Sequence, residues 1–167
     1  MVHIYCGDGK GKTTAAMGLA LRMAGAGNRV VVGQFFKDGS SSELALLKAL
    51  PGVTVRHCDT VKGRFVNLSD EERQLARRDY TAFLRELLAM DCDCLVLDEA
   101  VSACNHGVIP GDEVAAYLTQ WGIAREIILT GRNPSRTLLD CADYVTEMVK
   151  RRHPFDGGIP ARPGVEY

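Results

Sequence analysis

Residues 1–15 read MVHIYCGDGKGKTTA, and this stretch decides the fold. Val2, Ile4, Tyr5 and Cys6 are apolar or β-prone and run directly into Gly7-Asp8-Gly9-Lys10-Gly11-Lys12-Thr13-Thr14. Small and apolar residues then recur at helical spacing (Ala15, Ala16, Leu19, Ala20, Met23). Strand, glycine loop, helix is the order that a phosphate-binding loop needs. Glycines permit backbone conformations closed to other residues, so successive N–H groups converge on an anion. The helix opening near Lys12 adds the positive end of its dipole. In this pattern Lys12 pairs with phosphate oxygens and the Thr13 hydroxyl binds Mg²⁺. The usual spacing G-x-x-x-x-G-K-[ST] has its first glycine where this chain has Cys6, so Gly7 and Gly9 supply the turn in a variant loop. The alternative is a glycine-rich turn that holds no ligand.

A second motif lies downstream. Cys94-Leu95-Val96-Leu97-Asp98-Glu99 is a short apolar run that ends in two acids, as a strand buried on both faces does. Open α/β sheets bind ligands at the carboxyl ends of their strands, which would put Asp98 and Glu99 beside the loop. Mg²⁺ takes oxygen ligands of this kind.

Working outward, strands are expected at 2–6, 29–36, 53–58, 93–98, 126–130 and 143–149. Helices are expected at 12–26, 42–49, from 69 to 90, at 112–121 and from 134 to 141. Gly25 and Gly27 close the first helix. Ser69 and Glu72 form a capping box for the long helix. The polar loop 37–42 follows a strand and should face the site. Residues 59–68 are irregular and include Lys62, Gly63, Arg64, Phe65 and Asn67. Asn105-His106-Gly107 is a turn. Alternation of strands and helices predicts an α/β fold of the P-loop NTPase type: an open, mostly parallel six-stranded sheet with helices on both faces. One domain spans 1–167, and its Pro- and Gly-rich residues 150–167 form an irregular C-terminal tail that reads as flexible.

Composition bounds the function. A chain of 167 residues buries about 70% of its unfolded surface, enough for a real core. Net charge is −1, so there is no global basic field for nucleic acid. No apolar run approaches the ~20 residues of a membrane span, and a first strand beginning at residue 2 leaves no room for a signal peptide. The six cysteines have neither Cys-x-x-Cys nor zinc spacing. They are read as reduced thiols of a cytoplasmic protein, with Cys6 at the base of the loop either packing or sensitive to oxidation.

Five segments in register carry a resemblance. They are Gly7 to Ala16 with Gly18, Val32-Gly33-Gln34-Phe35-Phe36-Lys37, Leu97-Asp98-Glu99, Leu129-Thr130-Gly131-Arg132 with Ala142 to Met148, and His153 to Tyr167. Together they resemble the P-loop type of ATP:corrinoid adenosyltransferase, of cobalamin biosynthesis and salvage. The resemblance implies transfer of the 5′-deoxyadenosyl group of ATP to Co(I) of a corrinoid, with release of triphosphate. It implies ATP held by Gly7, Asp8, Gly9, Lys10, Gly11, Lys12, Thr13 and Thr14. Lys10, Lys12, Thr13 and Glu99 serve the reaction, and Mg²⁺ sits on Thr13 and Glu99, with Asp98 orienting water or Thr13. On the corrinoid side it implies Phe65, Arg132 and His153, and as partners a reduced flavin or flavoprotein and a second copy of the chain. His57 and His106 are read as structural or surface residues.

Three departures stand out. Asp8 replaces the more usual Asn. Phe65-Val66-Asn67 keeps the Phe but lacks the Trp of the family's Phe-x-Trp segment. The N-terminal extension of some members is absent ahead of the first strand. Two other readings share the loop: a different P-loop phosphotransferase or ATPase, with Arg132 or Arg136 as an arginine finger, and a protein that binds nucleotide and corrinoid without turnover.

Overall fold

The runs Val30 to Val32, Cys94 to Leu97 and Ile127 to Leu129 are continuously apolar because both faces of the sheet are covered there. The computed structural model describes residues 1–60 and 65–165. Lys62, Gly63 and Arg64, like Glu166 and Tyr167 of the tail, lie outside the described residues. In chain order the elements are β1 (Val2–Cys6), α1 (Lys12–Gly25), β2 (Val30–Gln34), α2 (Glu43–Ala49), β3 (Val53–His57), α3 (Asp70–Ala89), β4 (Cys94–Asp98), α4 (Ala100–Asn105), α5 (Gly111–Trp121), β5 (Glu126–Thr130), α6 (Arg136–Asp140) and β6 (Tyr144–Glu147). The described strands form one sheet in the order β3-β2-β4-β5-β1-β6, and every pairing is parallel.

Period-2 alternation sorts the strand side chains into two layers. Val30, Val32, Cys94, Val96 and Ile128 pack with Ala16, Met17 and Ala20 of α1 and Leu44 and Leu47 of α2. Val31, Leu95, Leu97, Ile127 and Leu129 pack on the opposite face with α3, α4, α5 and α6. Each fully buried Leu, Ile, Val or Phe contributes about 1.5–3 kcal/mol. Helix α1 crosses β1, β5, β4 and β2; its N-terminus, and with it the glycine loop, therefore sits at the carboxyl edge of the sheet.

The caps follow the sequence. Gly27 (φ 84°) lies beyond the end of α1 and its N–H meets the Ala24 carbonyl. Ser69 Oγ accepts from the Glu72 N–H at 3.2 Å while Glu72 Oε2 accepts from the Ser69 N–H at 2.8 Å, which completes the capping box.

Three features differ from expectation. Helix α4 begins directly after Glu99 and has no counterpart in the sequence reading, because its six residues are too few to show a 3.6 period. β6 is shorter than 143–149 and its four residues are exposed, as suits an edge strand. The tail carries a 3₁₀ turn at Pro154–Gly157 and lies against the glycine loop instead of leaving the domain.

Gly33 shows how closely α3 approaches the sheet. A Cβ at this position would lie 2.2 Å from Leu87 Cδ1, and Leu87 is itself fully buried. Gly33→Ala is therefore expected to destabilise the fold by about 1–3 kcal/mol through overpacking, read as a lowered denaturant midpoint at unchanged m-value.

Candidate functional site

The loop between β1 and α1 turns through Gly7 (φ 100°) and Gly11 (φ 112°), conformations that favour glycine. Gly7 and Gly9 also meet a steric demand from the far end of the chain. A Cβ at either position would sit 2.5 Å from the Met148 carbonyl oxygen, and the Gly9 N–H donates to that oxygen at 2.6 Å. Part of the glycine pattern thus serves the docking of the segment after β6. Lys12 closes over the loop, its Nζ donating to the Gly9 carbonyl at 2.8 Å. Burial lowers the pKa of Lys12, nearby Arg132 lowers it further, and Glu99 and Asp8 oppose the shift.

Opposite the loop, at the end of β4, Asp98 is fully buried and its carboxylate accepts four hydrogen bonds. Its Oδ1 accepts from Thr13 Oγ1 at 2.9 Å and from Thr130 Oγ1 at 2.7 Å. Its Oδ2 accepts from Lys37 Nζ at 2.6 Å and from Gln34 Nε2 at 3.2 Å. The same Thr130 oxygen accepts from the Glu99 N–H at 2.8 Å. With both carboxylate oxygens engaged, Asp98 orients Thr13 and does not itself offer a ligand position. Glu99 sits at φ 63°, a left-handed conformation that costs a non-glycine residue about 1–3 kcal/mol. Its Oε2 accepts from Ser102 Oγ at 2.7 Å, so the first turn of α4 aims the carboxylate.

Two cavities flank Lys10, Thr13 and Thr14. One, of about 190 Å³, is lined by the loop, Lys12, Glu99, Arg132 and His153. The other, of about 330 Å³, is lined by Lys37, Met17, Ser42 and Glu43. Val165 of the tail borders both. Arg132 and His153, which the resemblance put on the corrinoid side, thus stand beside the loop. Phe65 does not: among the described residues it lines neither cavity. It packs beside His106, with ring centroids 6.0 Å apart, and under the Arg77 guanidinium at 5.8 Å. His106, read as a structural or surface residue, is exposed and touches the Phe36 ring as well, at 6.1 Å.

Asp8 turns toward the tail. Its Oδ1 accepts from the Lys150 N–H at 3.0 Å, which holds the Asp8 carboxyl below the usual range. That anchor is intact above the ordinary carboxylate range and is lost as pH falls through the depressed value. Asp8→Ala is expected to speed amide exchange at Lys150 and the residues after it, while exchange in β4 stays as in the wild type.

All six thiols are free. Cys6 is buried, and burial with Glu147 nearby pushes its pKa up against the opposing Lys12. Among the described residues no group of three His, Cys, Asp or Glu side chains is placed to hold a metal alone, and no helix is long and apolar enough to cross a membrane.

Sequence reasoning passed over Gln34, Lys37, Ser102 and Thr130 as site residues. A usable signal existed for three of them: Gln34 and Thr130 are polar residues ending apolar strands at the carboxyl edge, where ligands bind, and Lys37 opens the polar loop expected to face the site.

A glycine loop between β1 and α1, a lysine closing over it, and a threonine held by a buried aspartate from β4 define a P-loop α/β protein. The family model described as ATP:corrinoid adenosyltransferase BtuR/CobO/CobP matches residues 1–167, and the chain belongs to that family. It is similar to the corrinoid adenosyltransferase of Pseudomonas aeruginosa (32% identity over 98% of this chain and 82% of the relative). It is similar also to that of Escherichia coli K12 (30% identity over 100% and 85%). Among solved structures, EssC (ATPases 2 and 3) from Geobacillus thermodenitrificans superposes with a TM-score of 0.49 at 17% identity, over 99% of this chain and 36% of that one.

Proposed function

We propose that this protein transfers the 5′-deoxyadenosyl group of ATP to Co(I) of a corrinoid. What carries the reading is the match of the whole chain, residues 1–167, to a family named for that activity. The site chemistry agrees with it. Cobalt donates an electron pair to C5′, the C5′–O bond breaks, and the oxygen keeps its electron pair as triphosphate leaves. Co(I) is itself a strong nucleophile, so no general base is needed. The protein's work is to align carbon and cobalt and to stabilise charge on the leaving group. Lys10, Lys12 and the loop N–H groups serve the triphosphate. Arg132 stands close enough to disfavour the charge on Lys12; an anion beside both relieves this, which supports Arg132 as a further phosphate partner.

The residues present fit Mg²⁺. Gln34 Oε1 is buried without a hydrogen-bond partner among the described residues, beside the carboxylate that orients Thr13, and a metal-bound water would satisfy it. Thr13 and Glu99 would hold the ion and Asp98 would orient Thr13 from behind. When bound, the ion supplies charge neutralisation on the triphosphate. His153 is assigned to the corrinoid side. Phe65 remains there only if the corrinoid extends beyond the two cavities to the Phe36–His106 group. With this reading go a reduced flavin or flavoprotein as electron donor, a homodimer and a cytoplasmic site of action.

The test is an anaerobic reaction with ATP, Mg²⁺ and chemically reduced cob(I)alamin. Loss of the Co(I) absorbance with formation of adenosylcobalamin and intact triphosphate is expected. Persistence of Co(I) while ATP yields ADP or orthophosphate would overturn the reading in favour of a phosphotransferase or ATPase.

A further inference from the structure

We propose that Lys37 is a third phosphate-binding cation of the site, and that it allows ATP to bind when no divalent metal is present. The inference rests on the nucleotide reading of the loop and goes beyond it. Lys37 lies three residues past the end of β2, outside the glycine loop, yet its Nζ reaches Asp98 Oδ2 at 2.6 Å and Thr13 Oγ1 at 3.3 Å. An ammonium group has three N–H donors. Asp98 and Thr13 take two of them, leaving one for a ligand in the 330 Å³ cavity that Lys37 lines with Lys10 and Thr14.

The placement is built rather than incidental. Phe36, directly before Lys37, is held at φ 57°, a conformation unfavourable for an aromatic residue. The Tyr80 hydroxyl accepts from its N–H at 3.2 Å and its ring packs edge-on against Tyr80 at 5.4 Å. This turn brings the next side chain back across the end of the sheet. The lysine is then tethered by a fully buried carboxylate while its own side chain remains 27% exposed. A lysine already immobilised loses little further side-chain entropy when an anion arrives.

The position also explains what the charge does. Thr13, which would hold Mg²⁺, presents the same hydroxyl oxygen that Lys37 approaches. Lys37 therefore supplies positive charge on the side of the triphosphate where the ion would supply it. Lys12 lines the other, smaller cavity and does not cover that side. Without metal, Lys10 and Lys37 are the cations lining that side, and of the two it is Lys37 whose Nζ is held at the Thr13 oxygen; with metal, its contribution is largely redundant.

The experiment is calorimetric titration of the intact protein with ATP, once with Mg²⁺ and once with EDTA, for wild type, Lys37→Gln and Lys37→Arg. Glutamine drops the charge but keeps an N–H for Asp98, so the fold survives; thermal unfolding of each variant verifies this. The wild type is expected to bind in EDTA. Lys37→Gln is expected to bind ATP at least tenfold more weakly than wild type in EDTA and within about threefold of it in Mg²⁺, with Lys37→Arg restoring most of the EDTA affinity. Lys37→Gln within threefold of wild type in EDTA, or wild type that binds only with Mg²⁺, overturns the role of Lys37 and leaves the nucleotide reading standing. A wild type that binds ATP under neither condition overturns both.

Discussion

Lys12→Ala is expected to lower kcat/KM for adenosyl transfer by at least about a thousandfold while leaving the protein folded. Removing one preorganised donor to a developing negative charge costs about 10²–10³ in rate, and Lys12 is a charged donor, roughly twice as strong as a neutral one. It stands among the loop N–H groups, half-buried, where its attraction for phosphate is screened less than on the surface. Its bond in the nucleotide-free protein, to the Gly9 carbonyl, contributes only about 1 kcal/mol. The decisive pair of measurements is steady-state kinetics in the anaerobic assay and a thermal melt. A kcat/KM loss below tenfold, with the melt unchanged, would remove Lys12 from the reaction.

The second large effect is on stability. Asp98→Ala is expected to cost about 3 kcal/mol or more. A buried carboxylate with four hydrogen-bonded partners is being deleted, and breaking a buried ion pair by removing one partner costs about 3–5 kcal/mol. The lower end applies because Lys37, part-exposed, can recover water. Thr13, Thr130 and Gln34 lose their acceptor together, and the Gln34 amide, fully buried, has no access to solvent. Denaturant unfolding measures the loss. Asp98→Asn, which preserves shape and one acceptor, should retain more stability than Asp98→Ala yet still misplace Thr13. A loss under 1 kcal/mol for Asp98→Ala would show that the cluster at the end of β4 is solvated and loosely held.

The glycine loop, Lys12, Thr13, Asp98 and Glu99 were legible in the sequence because their chemistry is tied to short spacings: strand, loop and helix are contiguous, and an apolar run ending in acids marks a strand's carboxyl end. Lys37, Gln34 and Thr130 were not singled out as site residues. Their positions at strand ends and in the loop 37–42 point to the carboxyl edge, but they stand 61, 64 and 32 residues from Asp98 in sequence, and no local periodicity encodes their convergence on it. Phe65, placed on the corrinoid side by the resemblance, packs against His106 and Arg77 and lines neither loop cavity, a position that its segment's local sequence does not encode.

By itself, the sequence determined the alternation of elements, the two-faced burial of the central strands, and the capping of α1 and α3. All of these follow from side-chain volume, polarity and backbone freedom within a few residues. Tertiary structure alone decided the strand order, the ring of donors around Asp98, the strained backbone at Phe36 and Glu99, and the path of the tail. Residues 150–165 have the composition of a flexible end, since local composition counts only the bonds a segment can make with itself. In the folded protein the Gly9 N–H donates to the Met148 carbonyl just before them, and the Lys150 N–H donates to Asp8. The partners lie about 140 residues away in sequence, and only the parallel pairing of β6 with β1 brings them together.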